Sequence, residues 1–213
     1  TGGLAAYTAV SATFTNLANM VPLRRDEGVL KRWRGTPLPT WTYIAGFVLS
    51  AVVIAMVGVM LMLTMGVVLY DLSIDWAKMP AAVVTFIVGV ASFAALGMAL
   101  ASLVKSASSA SAAANAVILP LAFISDVFVV SDQKNSFLNS VGNFFPLKPF
   151  VNAFQACFSP IVDGSAFNPG SLAFVAAWGL VGLIIAVKKF RWEPSGSAPR
   201  GRRSRAAAAE ASG

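Results

Sequence analysis

The chain has no histidine and a single cysteine, Cys157. Losing histidine removes the side chain that titrates near neutral pH, and with it histidine-based acid–base chemistry, nucleophile triads and most zinc sites. One cysteine can form neither an intramolecular disulfide nor a cysteine metal cluster. Charge is scarce as well: 12% of residues are Asp, Glu, Lys or Arg, against about 25% in an ordinary globular domain. The phosphate-binding pattern G-x-x-x-x-G-K-[ST] does not occur, nor do G-x-S-x-G or H-E-x-x-H. No catalytic residue, metal ligand or bound cofactor is therefore assigned to this chain.

What the chain does have is apolar length. Hydrophobic residues make up 57% of it, and the few charges cluster so that residues 1–23, 40–70, 79–104, 106–125 and 164–187 are charge-free. A helix that crosses a bilayer needs roughly 20 apolar residues, and each window reaches that length. A core helix of a soluble protein would show a polar face at i, i+3, i+4 spacing, whereas residues 48–69 are apolar all round. The fold class is thus all-α, a polytopic transmembrane helix bundle with five spans in this chain.

The net charge of +7 does not mark a nucleic-acid binder, because the cations sit where membrane topology uses them. Arg24, Arg25, Lys31, Arg32 and Arg34 fall between the first two windows, and Lys188, Lys189, Arg191, Arg200, Arg202, Arg203 and Arg205 follow the last. By the positive-inside rule both segments are cytoplasmic. Alternating five spans then puts Lys105 inside and leaves only Lys78, Lys134 and Lys148 outside. It also puts Thr1 outside, which implies a sixth span upstream and a chain that lacks its start. Trp41, Tyr43, Tyr70, Trp76 and Trp192 flank the spans as interfacial anchors.

Between the first two spans, Asp26 and Glu27 precede Leu30, Lys31 and Arg34, a pattern that starts a short helix near Asp26 with acid at its positive end. Thr36, Pro37, Leu38 and Pro39 stop that helix and fix the elbow into the next span. The segment reads either as a basic loop resting on anionic lipid or as a docking element for a cytoplasmic partner. In the fourth span, Ser111, Ala114 and Asn115 belong to a run of small residues suited to close helix packing, including packing across a dimer axis, and Pro120 predicts a kink. Asp126, near the outer end, is the carboxylate closest to membrane depth and reads as a wetted structural group rather than a buried functional acid. Residues 131–168 are too apolar for a solvated loop. Their phenylalanines recur at nearly helical spacing, and Pro146 and Pro149 break the run beside Phe145, so two short helices are expected on or in the outer leaflet, as a gate, a lateral exit or a lipid-resting cap.

The stretch R-D-E-G-x-L-K-R-x-R-G-T-P-L-P at 25–39 resembles the cytoplasmic loop of ABC-2 type transporter permeases. The fourth span, S-A-x-A-A-A-N-A-V-I-L-P-L-A-F-I-S followed by V-F-V, is similar to that family's span before its external re-entrant helices. The resemblance runs in order along nearly the whole chain, and it departs at Asp126 and at Val130–Ser131, where the family has a neutral residue and a proline-containing end. It implies six spans with both ends cytoplasmic in the plasma membrane, a second permease copy or homologue, and separate ATPase subunits that bind the ATP and magnesium. It further implies export of a drug, lipid or glycolipid; the tight basic loop looks most like the drug-efflux branch, similar to daunorubicin-resistance permeases of actinobacteria. Carried over, the ATPase-coupling helix falls on Asp26, Glu27, Gly28, Leu30, Lys31, Arg32 and Arg34, with Thr36 and Pro37 at its exit. Asp126, Phe145, Pro146 and Pro149 fall at the outer gate.

The expected layout is one transmembrane domain over residues 1–192, with spans at about 1–23, 41–70, 80–104, 107–130 and 169–187. A coupling loop spans 24–40, an external re-entrant region 131–168, and a disordered basic cytoplasmic tail 193–213. Two other readings compete. An ion-driven secondary transporter needs ionisable groups or broken helices near mid-bilayer in related halves of the chain, and these spans carry neither an internal repeat nor charge. A membrane scaffold without transport activity is the other.

Overall fold

The computed structural model describes residues 2–30, 39–70, 76–124, 142–158 and 167–190, and every long element among them is an α-helix. These are α1 (Gly2–Asp26), α2 (Thr40–Tyr70), α3 (Met79–Leu103), α4 (Ala107–Ile124), α5 (Leu147–Phe158) and α6 (Pro169–Lys189). Local chemistry sets several of the ends. Pro169 opens α6 where a missing N–H costs nothing, and the Asn168 side chain caps it by accepting from the Ser171 amide at 3.2 Å. Pro80 opens α3 in the same way.

Among the described residues, three helices are long and apolar enough to cross a membrane: Thr40–Val68 within α2, Met79–Leu103 and Pro169–Lys189. The apolar stretch Ala107–Phe123 of α4 is shorter. Helix α1 is 25 residues long, about 37 Å at 1.5 Å per residue, so length does not limit it. It differs in polarity. The hydroxyls of Thr8, Ser11 and Thr13 donate back to the carbonyls of Leu4, Tyr7 and Ala9 at 2.6, 2.6 and 2.7 Å, so these donors are satisfied inside the helix. Its buried stripe of Ala6, Val10, Phe14, Leu17, Ala18 and Val21 is what it offers to its neighbours.

Helix α2 decides the solvent. Leu49, Ile54 and Val68 are 66%, 70% and 75% exposed, and the exposed apolar surface continues through Val53, Val57, Leu61 and Met65. A patch of that extent is not sustained in water. Lipid is the medium that accepts it, and Trp41 and Trp76, both exposed, lie near its two ends as interfacial residues do.

Helix α3 is the hub, buried against α1, α2, α5 and α6. Between helices in lipid there is little hydrophobic driving force, so contact depends on small side chains that let backbones approach. Ser92 and Ala95 of α3 meet Gly179 and Gly182 of α6 in this way, and Gly97 lies against the backbone of Phe14 in α1. One cluster, with Val10, Phe14, Phe86, Val90 and Ile118, fills one end of the bundle; another, with Val21, Ile44, Met98 and Ala186, fills the other. The memberships show that α1, α2, α3, α4 and α6 alternate in direction, with the ends of α1, α3 and α6 beside the starts of α2 and α4.

Helix α5 is amphipathic. Leu147, Phe150, Val151, Phe154 and Cys157 are buried while Asn152 and Gln155 are exposed, so the apolar face is satisfied by α1, α3 and α6 rather than by lipid. Phe150 seats on Gly89, where a Cβ would run into the ring. Gly89→Ala is accordingly expected to cost about 1–2 kcal/mol, as overpacking does. Phe150→Leu in the same chain should recover part of that loss, which thermal unfolding of both variants in detergent measures.

Cys157 gives an independent probe of this packing. Its thiol lies 3.3 Å from the Ala153 carbonyl, and burial raises its pKa, so little thiolate is present near neutral pH. N-ethylmaleimide at pH 7 should label Cys157 at least about tenfold more slowly than a cysteine placed at exposed Lys105 in a Cys157→Ser chain, and denaturation should remove the difference.

Candidate functional site

The sequence pattern places a helix start near Asp26, but α1 runs through Arg24 and Arg25 and ends at Asp26. The end is closed by the Glu27 and Gly28 amides, which donate to the Leu23 and Arg25 carbonyls at 3.0 and 3.1 Å. Gly28 has φ +76°, the left-handed conformation that commonly closes a helix and that a residue with Cβ adopts at a cost. Val29 and Leu30 are helical again. The acidic pair therefore sits on a tight joint between two helical segments instead of inside one.

Two consecutive side chains at that joint reach the turn between α3 and α4. Arg25, 1% exposed, donates from Nη2 to the carbonyl of Val104 at 2.8 Å, and Val104 caps the C-terminal end of α3. Asp26 accepts from the Ala107 amide at 2.8 Å through Oδ2, and Ala107 is the first residue of α4. Helix termini leave carbonyls unsatisfied at one end and amides at the other, with partial negative and positive charge respectively. A guanidinium thus meets the negative end of α3 and a carboxylate meets the positive end of α4, each with a charge-assisted hydrogen bond. Ser106 completes the α4 start, its Oγ accepting from the Ser109 amide at 3.4 Å.

The neighbours extend this joint. The Arg24 guanidinium lies 5.2 Å above the ring of Phe47, and Tyr43 packs on Phe47 and on Phe190 with ring centroids 4.7 and 5.4 Å apart. The end of α1 is tied in this way to the start of α2 and to the residue after α6. Among the other coupling candidates, Leu30 is buried and Glu27 is exposed. Lys31, Arg32, Arg34, Thr36 and Pro37 lie outside the described residues, as does the basic tail.

The α4 candidates divide. Ala114 is buried, and Ser111 donates to the Asn19 side chain of α1 at 3.0 Å, so both pack within the chain. Asn115 and Pro120 are exposed, and α4 remains helical on both sides of Pro120. At the opposite end, Phe145 stacks on Trp178 at 6.2 Å with the rings 28° apart, Pro146 is buried, and Pro149 is half-buried at the start of α5. Asp126 lies outside the described residues. Arg25, Asn19 and Trp178 are the contributors that the sequence pattern did not single out. The positive-inside rule counts Arg25 as a solvated charge, whereas the bundle buries it.

Apolar helices exposed to lipid around a packed hub define a multi-pass membrane protein. The chain belongs to the ABC-2 type transporter family, whose family model matches residues 1–159. That stretch covers α1 through α5, and the family is the transmembrane, permease component of ABC transporters, which associates with an ABC ATPase. No curated protein and no solved structure matches the chain.

Proposed function

We propose that this chain is the permease subunit of an ATP-driven exporter, forming the path for a hydrophobic or amphipathic substrate such as a drug, lipid or glycolipid, with a separate ATPase supplying the energy. The family match over residues 1–159 carries the reading. The domain layout is a transmembrane domain over 1–192, working as a pair in the plasma membrane, with the end bearing Arg24, Arg25 and Asp26 facing the cytoplasm. Residues 24–40 are the coupling loop and 131–168 the external region. Drug efflux is the branch that the T-P-L-P elbow favours.

Within the loop, the exposure of Glu27 and the burial of Leu30 support a division of roles. Glu27, Gly28 and the basic residues that follow face the ATPase, while Leu30, buried in this chain, anchors the loop to the bundle. Asn115 and Pro120, exposed on α4, face the second permease copy. Phe145, Pro146, Pro149 and Asp126 surround the outer gate.

The test is affinity purification of the full-length protein from detergent, followed by identification of what accompanies it. An ABC ATPase in stoichiometric amount supports the proposal. Reproducible purification of a functional, ion-coupled protein with no ATPase would overturn it.

A further inference from the structure

We propose that Arg25 and Asp26 form a positioning pair that locks the coupling loop to the α3–α4 turn, so that a force applied to the loop moves the ends of α3 and α4 with it as one body. The inference rests on the permease reading above and adds the route by which loop movement enters the bundle.

The geometry points to this in three ways. First, the two hydrogen bonds come from consecutive residues and end on opposite sides of one short turn, at Val104 and at Ala107. Pulling the loop therefore loads both helices at once. Second, the bonds are matched to helix polarity, positive charge on the end of α3 and negative charge on the start of α4, so sliding the turn by one residue would lose both. Third, the pair is set on a rigid lever. Asp26 is the last residue of α1, Gly28 closes the helix two residues later, and Asn19, about two turns back along α1, accepts from Ser111. The α1–α4 contact is thereby fixed at two heights and resists rotation as well as separation.

The joint also has a compliant partner. Helix α2 touches the bundle mainly through Tyr43, Ile44 and residues near Met56, and much of its length is exposed. Loop movement that carries α3 and α4 rigidly would be accommodated at α2. The loop's second end, at Pro39, leads directly into that helix.

Spectroscopic distance measurement tests the pair. Spin labels at Val29→Cys and Lys105→Cys, both exposed positions, in a Cys157→Ser background report the separation of loop and turn in the complete transporter with its ATPase. With the pair intact, the distance should be the same without nucleotide and after trapping with ATP and vanadate. In Asp26→Ala it should shift by about 2 Å or more on trapping, the scale of helix displacements in switching proteins. Asp26→Asn, which keeps an oxygen to accept from Ala107, should restore the constant distance. A role limited to stability would lower the melting temperature without creating a nucleotide-dependent shift. A shift in the intact protein as large as in Asp26→Ala, or no shift in either, overturns the inference while the permease reading stands. Absence of any ATPase with the unaltered protein removes the permease reading itself, and this inference with it.

Discussion

Gly97→Leu is expected to disrupt assembly of the bundle, with a loss of about 3 kcal/mol, the upper part of the range for overpacked cores. The first carbon of a side chain at Gly97 would lie 2.6 Å from the Phe14 carbonyl oxygen and 3.2 Å from its Cα. Both are backbone atoms, so no rotamer change relieves the contact, and α1 must move away from α3 along the whole seam. Separation there also withdraws Val10 and Phe14 from the cluster shared with Phe93 and Val90. Gly58→Leu on α2 is the control, because nothing lies within 4 Å of an added Cβ there. Size-exclusion profiles and thermal unfolding in detergent should separate the two: Gly58→Leu like the parent, Gly97→Leu aggregated or melting far lower. A Gly97→Leu protein that is monodisperse and melts with the parent would show that the α1–α3 seam does not hold the bundle.

Much of the fold was legible because a membrane imposes simple rules. Charge-free windows announced where long helices lie, and the helices at Thr40–Tyr70, Met79–Leu103 and Pro169–Lys189 follow them closely. The phenylalanine spacing led to an expectation of two short helices over residues 131–168, of which the described residues include one long amphipathic helix, Leu147–Phe158. Where that helix goes was less legible. An apolar face is satisfied equally by lipid and by protein, and Gly89, the residue that makes room for Phe150, lies far away in sequence. Helix α1 read as simply apolar, but its Thr, Ser and Asn residues place it below the three long apolar helices in hydropathy.

The joint at Arg25 and Asp26 was hidden for a different reason. Its bonds join residues 79 and 81 positions apart, and nothing local to either partner marks them. Acid near a presumed helix start was a sound local inference, yet the helix that Asp26 serves is α4, not one beginning at Asp26. The electrostatic rule held while its address in the chain changed. Buried Lys78 and Lys148 teach the same lesson at the other end, since a count of charges by loop says nothing of which ones the bundle covers.

Exchanging charge across the coupling loop, with Glu27→Lys and Arg32→Glu together, is expected to weaken ATPase association by about 100-fold or more, equivalent to roughly 2.7 kcal/mol. On the permease reading proposed above, Glu27 and Arg32 each face an opposite charge on the ATPase, so the exchange turns attraction into repulsion at both sites. The fold should survive, because Glu27 is exposed and its amide, not its carboxylate, closes α1. The exchange leaves the net charge of the loop unchanged. Attraction to anionic lipid depends chiefly on how many basic groups stand near the surface, so a loop that only rests on lipid would behave nearly as before. Release of the ATPase, with unaltered thermal unfolding of the permease and loss of substrate-stimulated ATP hydrolysis, would mark a docking surface with defined partners for each charge. Retention of the ATPase at full stoichiometry would assign the loop to the lipid surface instead, and the partner would then have to be held elsewhere on this end of the bundle.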